Sequence, residues 1–389
     1  MYSRRDFLKL SALFTASAAL PLIDSASRQA KANPDAPLSI GYLPILDASP
    51  LLLAHRLGFF EKAGVQSVKP VLFRSWASLV EAFLSGKVNL IHALSPMSVW
   101  MRYASKAPVR ALMWNHICGS ALTVGNHIQS LDDLSGQTIA IPFWYSIHNI
   151  IVQQLLRNAG FEIVEKDPAD KQVRLTVMPP SDMLAALASQ QIAGYIVAEP
   201  FNALAEAKGI GRILRFSGDV WKDHACCVSM MHDADIEQRP EWVQNVITAL
   251  VQASAWAKEN RAQAAVELSR QGVQKYTPHE AEVLRSVLQP EPIIWGKYEK
   301  TGAIKHPQWQ QHRLDFQPYP FESYSEMLIR LLQQTHVAGD HRFLEELDPA
   351  KAASTLFDTS FVKKALNAPE LMQTFGIGTN FSRQEVFQL

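Results

Sequence analysis

Residues 143–149 (Phe-Trp-Tyr-Ser-Ile-His-Asn) place a hydroxyl and an imidazole at a predicted strand-to-helix junction. Such a junction presents unpaired backbone N–H groups at the positive end of a helix, which favours an anion. Ser146 is the predicted helix cap, and His148 falls in the first turn. A plain serine cap beside an exposed histidine explains the same residues, so this segment alone leaves both interpretations open.

A second candidate segment is residues 221–224, which read Trp-Lys-Asp-His. Lys222 offers a point charge with three hydrogen-bond donors, and Trp221 offers a large apolar wall. Together they are suited to holding a small anion. The commoner explanation of such a pair is a solvated surface lysine beside a tryptophan that packs in the core.

Four other candidate residues lie a short distance after the ends of predicted strands. Glu199 ends one strand just before a helix, where its carboxylate is placed to form a salt bridge across a cleft. Asp47 and Ser49 follow the first strand, and Trp76 follows the second. Each residue fits a binding cleft, and each is unremarkable by itself.

Motifs for catalysis or metal binding are scarce in this sequence. It contains no GxSxG elbow, no P-loop and no HExxH pair. Its three cysteines, Cys118, Cys226 and Cys227, have neither the number for a disulfide framework nor the CxxC spacing of a zinc site. We therefore expect a protein that is not an enzyme and has no cofactor and no resident metal.

Strand and helix patterns alternate at short intervals, which predicts an α/β fold with a mainly parallel sheet. The alternation restarts near residue 138, so we expect two lobes with a cleft. Ligands of open parallel sheets lie beyond the carboxyl ends of strands, a rule that points at Asp47, Trp76, His92, 144–148 and 199–202. The predicted strands are 38–43, 68–73, 88–93, 109–114, 138–142, 173–178 and 194–198, and the predicted helices are 51–57, 79–84, 147–158, 183–188, 242–258, 262–271 and 278–288.

The first 32 residues have the features of a twin-arginine export signal. Arg4 and Arg5 precede Phe-Leu-Lys, a modestly apolar run covers 10–23, and Ala-Lys-Ala stands at 30–32. The run is too short and too rich in small polar residues to span a membrane. No cysteine lies near the cleavage region, so we expect an exported, periplasmic protein without a lipid anchor.

The charge balance excludes several partners for the exported part. The whole chain has 37 basic and 37 acidic residues, and the signal carries five of the former and two of the latter, which leaves a net charge of −3. Such a chain has no basic surface for nucleic acid and no polybasic membrane contact. Its roughly 357 residues are enough for two domains.

Taken together, these segments resemble the nitrate- and bicarbonate-binding branch of ABC-importer substrate-binding proteins, which is related to the sulfonate and taurine binders. The resemblance implies a two-lobed, type II periplasmic binding protein that works as a monomer with an ABC permease and ATPase in the inner membrane. Each lobe would be a mainly parallel sheet flanked by helices, with a double hinge crossover. The matching residues are 41–51, 58–60, 75–78, 94–97, 142–149, 179–183, 194–203, 221–224 and 315–320.

The same resemblance implies domain boundaries. After the signal at 1–32, lobe one would comprise 33–123 plus 226–389, and lobe two would comprise 124–225. A small anion such as nitrate, nitrite or bicarbonate would be captured between the lobes.

Residue by residue, Trp76, His148 and Lys222 match positions that line the oxyanion site of nitrate binders. Ser120 stands where those proteins typically place Gln, and 225–227 read Ala-Cys-Cys where Pro-Glu-Lys is common. Both departures leave open which ligand is bound, with sulfonate, taurine or another small organic solute as alternatives.

Two other functions fit a chain of this resemblance. A pyrimidine-forming enzyme of the same fold uses a cysteine-rich motif, which requires more cysteines than Cys226 and Cys227 supply. A sensory binding protein that docks on a membrane receptor would use the same closed state as an importer component.

Overall fold

A computed structural model describes residues 33, 35–309 and 312–389. The described residues form thirteen strands: β1 Ile40–Tyr42, β2 Val71–Leu72, β3 Leu90–Leu94, β4 Val109–Trp114, β5 Ile117–Cys118, β6 Ser120–Gly125, β7 Gln137–Ile141, β8 Glu162–Val164, β9 Gln172–Val177, β10 Gly194–Ala198, β11 Gly211–Phe216, β12 Cys227–His232 and β13 Leu314–Asp315.

The same residues form seventeen α-helices. They are α1 Ser49–Arg56, α2 Phe59–Lys62, α3 Trp76–Leu84, α4 Ser95–Val99, α5 Ile147–Asn158, α6 Pro180–Ala188, α7 Phe201–Ala207, α8 Asp233–Gln238, α9 Pro240–Glu259, α10 Arg261–Leu268, α11 Ala281–Leu288, α12 Ile293–Lys300, α13 Glu322–Gln333, α14 Arg342–Glu345, α15 Pro349–Leu356, α16 Ser360–Ala365 and α17 Pro369–Thr374.

The chain divides into two compact units. Unit 1 comprises the described residues up to His116 together with Cys227–Asn260 and Phe316–Gln384. Unit 2 comprises Ile117–Cys226, Arg261–Asp315 and Glu385–Leu389. The lobe boundaries inferred from the sequence stay a prediction. The compact units differ from them chiefly at Arg261–Asp315, which lies in unit 2.

Unit 1 contains a five-stranded sheet in the order β2-β1-β3-β12-β4. Strand β1 pairs in parallel with both β2 and β3, and β12 runs antiparallel to its neighbours β3 and β4. The parallel strands β2, β1 and β3 therefore end at one edge of the sheet. Trp76 starts α3 just after β2, and Asp47 follows β1, so that edge collects several of the candidate residues.

Gly41 in β1 lies against the side chain of Leu79 in α3. A Cβ atom at residue 41 would lie 2.6 Å from Leu79 Cδ1 of α3, a distance that real side chains do not adopt. The absence of a Cβ at residue 41 therefore leaves room for the Leu79 side chain against the sheet.

Unit 2 contains a six-stranded sheet in the order β11-β6-β10-β7-β9-β8. Strands β10, β7, β9 and β8 are parallel, whereas β6 runs antiparallel to both β10 and β11. Ser120 at the start of β6 pairs with Ala198 at the end of β10. This register brings Ser120 to the carboxyl edge of the parallel strands, where β7 also leads toward α5.

The α/β class and the mainly parallel sheets are confirmed. Strands β4 and β10 and helix α5 have the predicted bounds. The predicted one-sided apolar stripe on α9 is also confirmed, since Val243, Val246, Ile247, Leu250, Val251 and Ser254 are all buried. The predicted export signal at 1–32 lies outside the described residues.

Candidate functional site

Helix α5 of unit 2 begins as its sequence predicts. Ser146 Oγ accepts a hydrogen bond from the Asn149 N–H at 3.0 Å and donates one to the Phe143 carbonyl at 2.6 Å. The cap therefore satisfies one of the free N–H groups of the first turn. His148 lies in that turn and is 1% exposed, so the alternative of a solvent-exposed histidine is wrong.

Ser120 and His148 form a direct contact at the carboxyl edge of unit 2. Ser120 Oγ lies 2.9 Å from His148 Nε2, and the Cys226 thiol lies 3.9 Å from each of these two atoms. His148 Nδ1 is buried and has no hydrogen-bond partner among the described residues. Because buried polar atoms are nearly always paired, this nitrogen is a strong candidate for contact with a bound molecule.

Trp221 and Lys222 have separate environments in unit 2. The Trp221 indole is fully buried, its Nε1–H donates to Glu385 Oε2 at 2.9 Å, and its ring packs against Phe387. The Lys222 backbone N–H donates to the Val386 carbonyl at 3.0 Å, while its side chain is partly exposed. Trp221 therefore anchors this segment within unit 2. No described residue forms an ion pair with Lys222.

Glu199 is held in a buried ion pair within unit 2. Its Oε1 accepts from Arg313 Nη2 at 2.5 Å and from Nε at 3.1 Å, and its Oε2 accepts from the Ala203 N–H at 3.1 Å. Arg313 also donates to Glu206 Oε2 at 3.2 Å and to the Tyr298 hydroxyl at 2.9 Å. Burial opposes the charged guanidinium, but these acidic neighbours raise the pKa of Arg313 above its ordinary value. Both oxygens of Glu199 thus have partners within unit 2.

Trp76 opens helix α3 of unit 1. Ser75 caps this helix by accepting a hydrogen bond from the Ser78 N–H at 3.3 Å. The Trp76 indole is 2% exposed, and its Nε1 is buried with no hydrogen-bond partner among the described residues. An indole N–H can only donate, so its natural partner is an acceptor.

His92 in β3 lies against Trp76, with the ring centroids 5.3 Å apart. It is fully buried, and its Nε2 accepts a hydrogen bond from the Leu43 N–H at 2.9 Å. Burial lowers the pKa of His92 to about 4, although Asp47 acts in the opposite direction. His92 is therefore neutral near pH 7.

Asp47 lies in a buried polar network of unit 1. Its Oδ1 is 3.0 Å from His116 Nε2, and its backbone carbonyl accepts from Asn115 Nδ2 at 2.9 Å. Burial opposes ionisation of the carboxyl, but His116, Cys227 and His92 together outweigh this effect and lower the pKa of Asp47 below its usual range. Ser49 has a local role, since its Oγ donates to the Leu46 carbonyl at the start of α1.

The predicted site residues thus separate into two kinds. Trp76, His148 and Lys222 keep polar atoms available, whereas Glu199 and Trp221 have internal partners. The sequence pointed to His92 only as a strand end, and it did not indicate His116 or Arg313 at all. Arg313 lies 114 residues from Glu199, and no local pattern marks so distant an ion pair.

Residues 31–269 match the sequence profile of the NMT1-like family. The chain belongs to the NMT1-like family. Among the curated relatives of this NMT1-like protein is the nitrate/nitrite binding protein NrtA of Nostoc, which is 27% identical over 238 residues, covering 56% of this chain and 53% of the relative.

Two further relatives extend the comparison. NrtA of Synechocystis is 23% identical over 314 residues, which cover 75% of this chain and 68% of the relative. The bicarbonate transport ATP-binding protein CmpC of Synechococcus elongatus is 27% identical over 240 residues, which cover 57% of this chain and 35% of that protein. The NMT1-like chain therefore spans about half of the Nostoc relative and about a third of the ATP-binding protein.

Solved structures show the fold of the NMT1-like protein. The periplasmic nitrate-binding protein NrtA from Synechocystis superposes with a TM-score of 0.72 at 18% identity, covering 90% of this chain and 93% of that chain. The alkanesulfonate-binding protein SsuA from Xanthomonas axonopodis has a TM-score of 0.54 at 17% identity, covering 71% and 96%. The predicted periplasmic binding protein fold is confirmed. Among the described residues, we find no helix long and apolar enough to cross a membrane.

Proposed function

We propose that this NMT1-like protein binds a small oxyanion and delivers it to an ABC importer, without catalysis of its own. The observation that carries the proposal is the Ser120–His148 pair, which leaves a buried ring nitrogen, His148 Nδ1, without a partner among the described residues. Lys222 supplies a positive charge in the same unit. The indole N–H of Trp76 supplies a donor in unit 1.

Physical chemistry favours this set of groups for an anion. A buried anion without donors and charge is strongly disfavoured, so its site must provide both. Unit 2 offers both charge and donors: the ammonium of Lys222, the imidazole of His148, the hydroxyl of Ser120 and the first-turn amides of α5. Capture between two lobes, which the family resemblance implies, stays a prediction.

The ligand set extends from nitrate, nitrite and bicarbonate to sulfonates and taurine. The names of the relatives support nitrate, nitrite and sulfonates within this range, because NrtA proteins are nitrate/nitrite binders and SsuA is an alkanesulfonate binder. A four-atom anion at about 1.5 kcal/mol per heavy atom reaches roughly −6 kcal/mol, or a Kd of tens of micromolar. A markedly tighter complex would favour a larger ligand with an organic tail.

Isothermal titration calorimetry against nitrate, nitrite, bicarbonate, methanesulfonate and taurine tests the proposal. We expect one of them to bind the protein purified by unfolding and refolding, which removes any ligand carried from the cell. His148→Gln keeps a polar group near Ser120 and removes the Nδ1 position, so it should weaken binding about tenfold or more. The control His127→Gln alters an exposed histidine and should bind normally. Failure of the wild-type protein to bind any of these solutes would refute the proposal.

The proposed partners are a membrane permease and its ATPase. The match to transport ATP-binding proteins such as CmpC supports this assignment. Loss of the gene should abolish uptake of the labelled ligand at micromolar concentration. A cell that keeps full uptake but loses a transcriptional response to the ligand would instead favour the sensory function.

Export to the periplasm by the twin-arginine route is part of the same proposal. It rests on the paired arginines and the short apolar run of residues 1–32. Changing both Arg4 and Arg5 to Lys should retain the precursor in the cytoplasm, as fractionation and immunoblotting would show. Unchanged export of this double variant would refute the route and leave the binding function standing.

A further inference from the structure

His92 of unit 1 holds a buried N–H group in a defined position. Its Nε2 accepts the Leu43 N–H at 2.9 Å, so that nitrogen carries a lone pair. A neutral imidazole with one acceptor nitrogen carries its proton on the other, which makes His92 Nδ1 a donor. This Nδ1 is buried and has no hydrogen-bond partner among the described residues.

The neighbouring Trp76 indole presents a second N–H of the same kind. Its Nε1 is also buried without a described hydrogen-bond partner, and the two rings are 5.3 Å apart between centroids. Trp76 follows β2, Leu43 follows β1, and His92 lies in β3, so three adjacent parallel strands bring these groups to one edge of the sheet. Both donors thus lie in one buried polar cluster without a described hydrogen-bond partner.

The donors of Trp76 and His92 are uncharged, and they lie near a charged group. Asp47 is ionised and fully buried nearby, with His116 Nε2 at 3.0 Å from its carboxylate. Uncharged N–H groups bind an oxygen atom through direction and distance. They therefore select the shape of a ligand.

We propose that His92 donates from Nδ1 to the bound anion beside the Trp76 indole, and that the ligand presents at least two acceptor oxygens to unit 1. This inference rests on the proposed function and deepens it. Planar and tetrahedral oxyanions such as nitrate, bicarbonate and sulfonates satisfy the requirement. A halide, with a single centre, does not.

A pair of amide substitutions separates the two nitrogens of His92. In His92→Gln the amide oxygen takes the place of Nε2 as the acceptor for Leu43, and the Nδ1 donor is lost. In His92→Asn the amide nitrogen takes the place of Nδ1, and the acceptor is lost. We expect His92→Gln to bind the preferred oxyanion at least tenfold more weakly with a melting temperature near that of wild type. His92→Asn should bind within threefold of wild type and melt at a lower temperature.

Calorimetry with the oxyanion that wild type binds best, and with chloride as a second probe, provides the test. Wild-type affinity in His92→Gln, or equal weakening in both variants, would overturn the role of His92 and leave the proposed function intact. Chloride binding as tight as that of the oxyanion would overturn the requirement for two acceptor oxygens. A wild-type protein that binds no anion would instead show that the proposed function itself has failed.

Discussion

The buried, neutral state of His92 predicts how the stability of the protein depends on pH. Burial lowers the pKa of His92 to about 4 in the folded chain, from the ordinary 6.5 that it recovers on unfolding. Between these values the unfolded chain binds a proton that the folded chain does not. The free energy of unfolding therefore rises with pH in this window, and the contribution is fully present above about pH 6.5.

The magnitude follows from the two pKa values. A difference of about 2.5 units corresponds to about 3 kcal/mol in total, of which about 2 kcal/mol is lost between pH 7 and pH 5. Protonation below pH 4 would also remove the acceptor for the Leu43 N–H, since both ring nitrogens then carry protons.

Urea unfolding at pH 7 and pH 5 measures this effect in wild type and His92→Gln. Gln does not titrate, so we expect the variant to lose about 2 kcal/mol less stability over this interval than wild type. Burial also lowers the pKa of His55 and His232, and their contribution is common to both proteins and cancels in the comparison. Equal losses of stability in the two proteins would show that His92 is not the buried, neutral group described above.

Two substitutions, each with a matched control, test two charged groups of unit 2, Lys222 and Glu199. Lys222→Gln should weaken oxyanion binding about 10- to 100-fold, as measured by calorimetry. The control Lys87→Gln changes an exposed lysine and should leave the affinity unchanged. Unchanged affinity in Lys222→Gln would show that Lys222 does not belong to the site. Glu199→Gln leaves the Arg313 charge buried without its main partner and should lower the free energy of unfolding, measured in urea, by about 3–5 kcal/mol. The control Glu326→Gln, on an exposed helix pair, should cost about 1 kcal/mol or less, and similar losses in the two variants would contradict the buried ion pair.

The fold could be predicted where the chain repeats one local pattern. Strand β10 and helix α5 had the expected bounds because an apolar run ends at a clear break and a serine caps the next helix. Strands β6 and β12 were not predicted. Each is the antiparallel strand of its sheet, and each begins close to the point where the chain changes units, so no alternation with a helix marks it.

The sequence could indicate individual candidate residues, but it could not indicate which of them contact one another. The family resemblance predicted Trp76, His148 and Lys222 as site residues, which stays a prediction, and the strand-end rule indicated His92. The Ser120–His148 contact depends on the register of β6 against β10, and the tautomer of His92 depends on a backbone N–H from another strand. Such pairings arise from tertiary structure, which residue types and spacing do not encode locally.

The segment that carries Lys222 receives its support from far along the chain. The partner of the Trp221 indole, Glu385, is 164 residues away, and Val220 and Lys222 pair through their backbones with Gln388 and Val386. During synthesis this segment leaves the ribosome well before its partners do. The packing around Trp221 and Lys222 is consequently completed only after residues 385–388 have emerged.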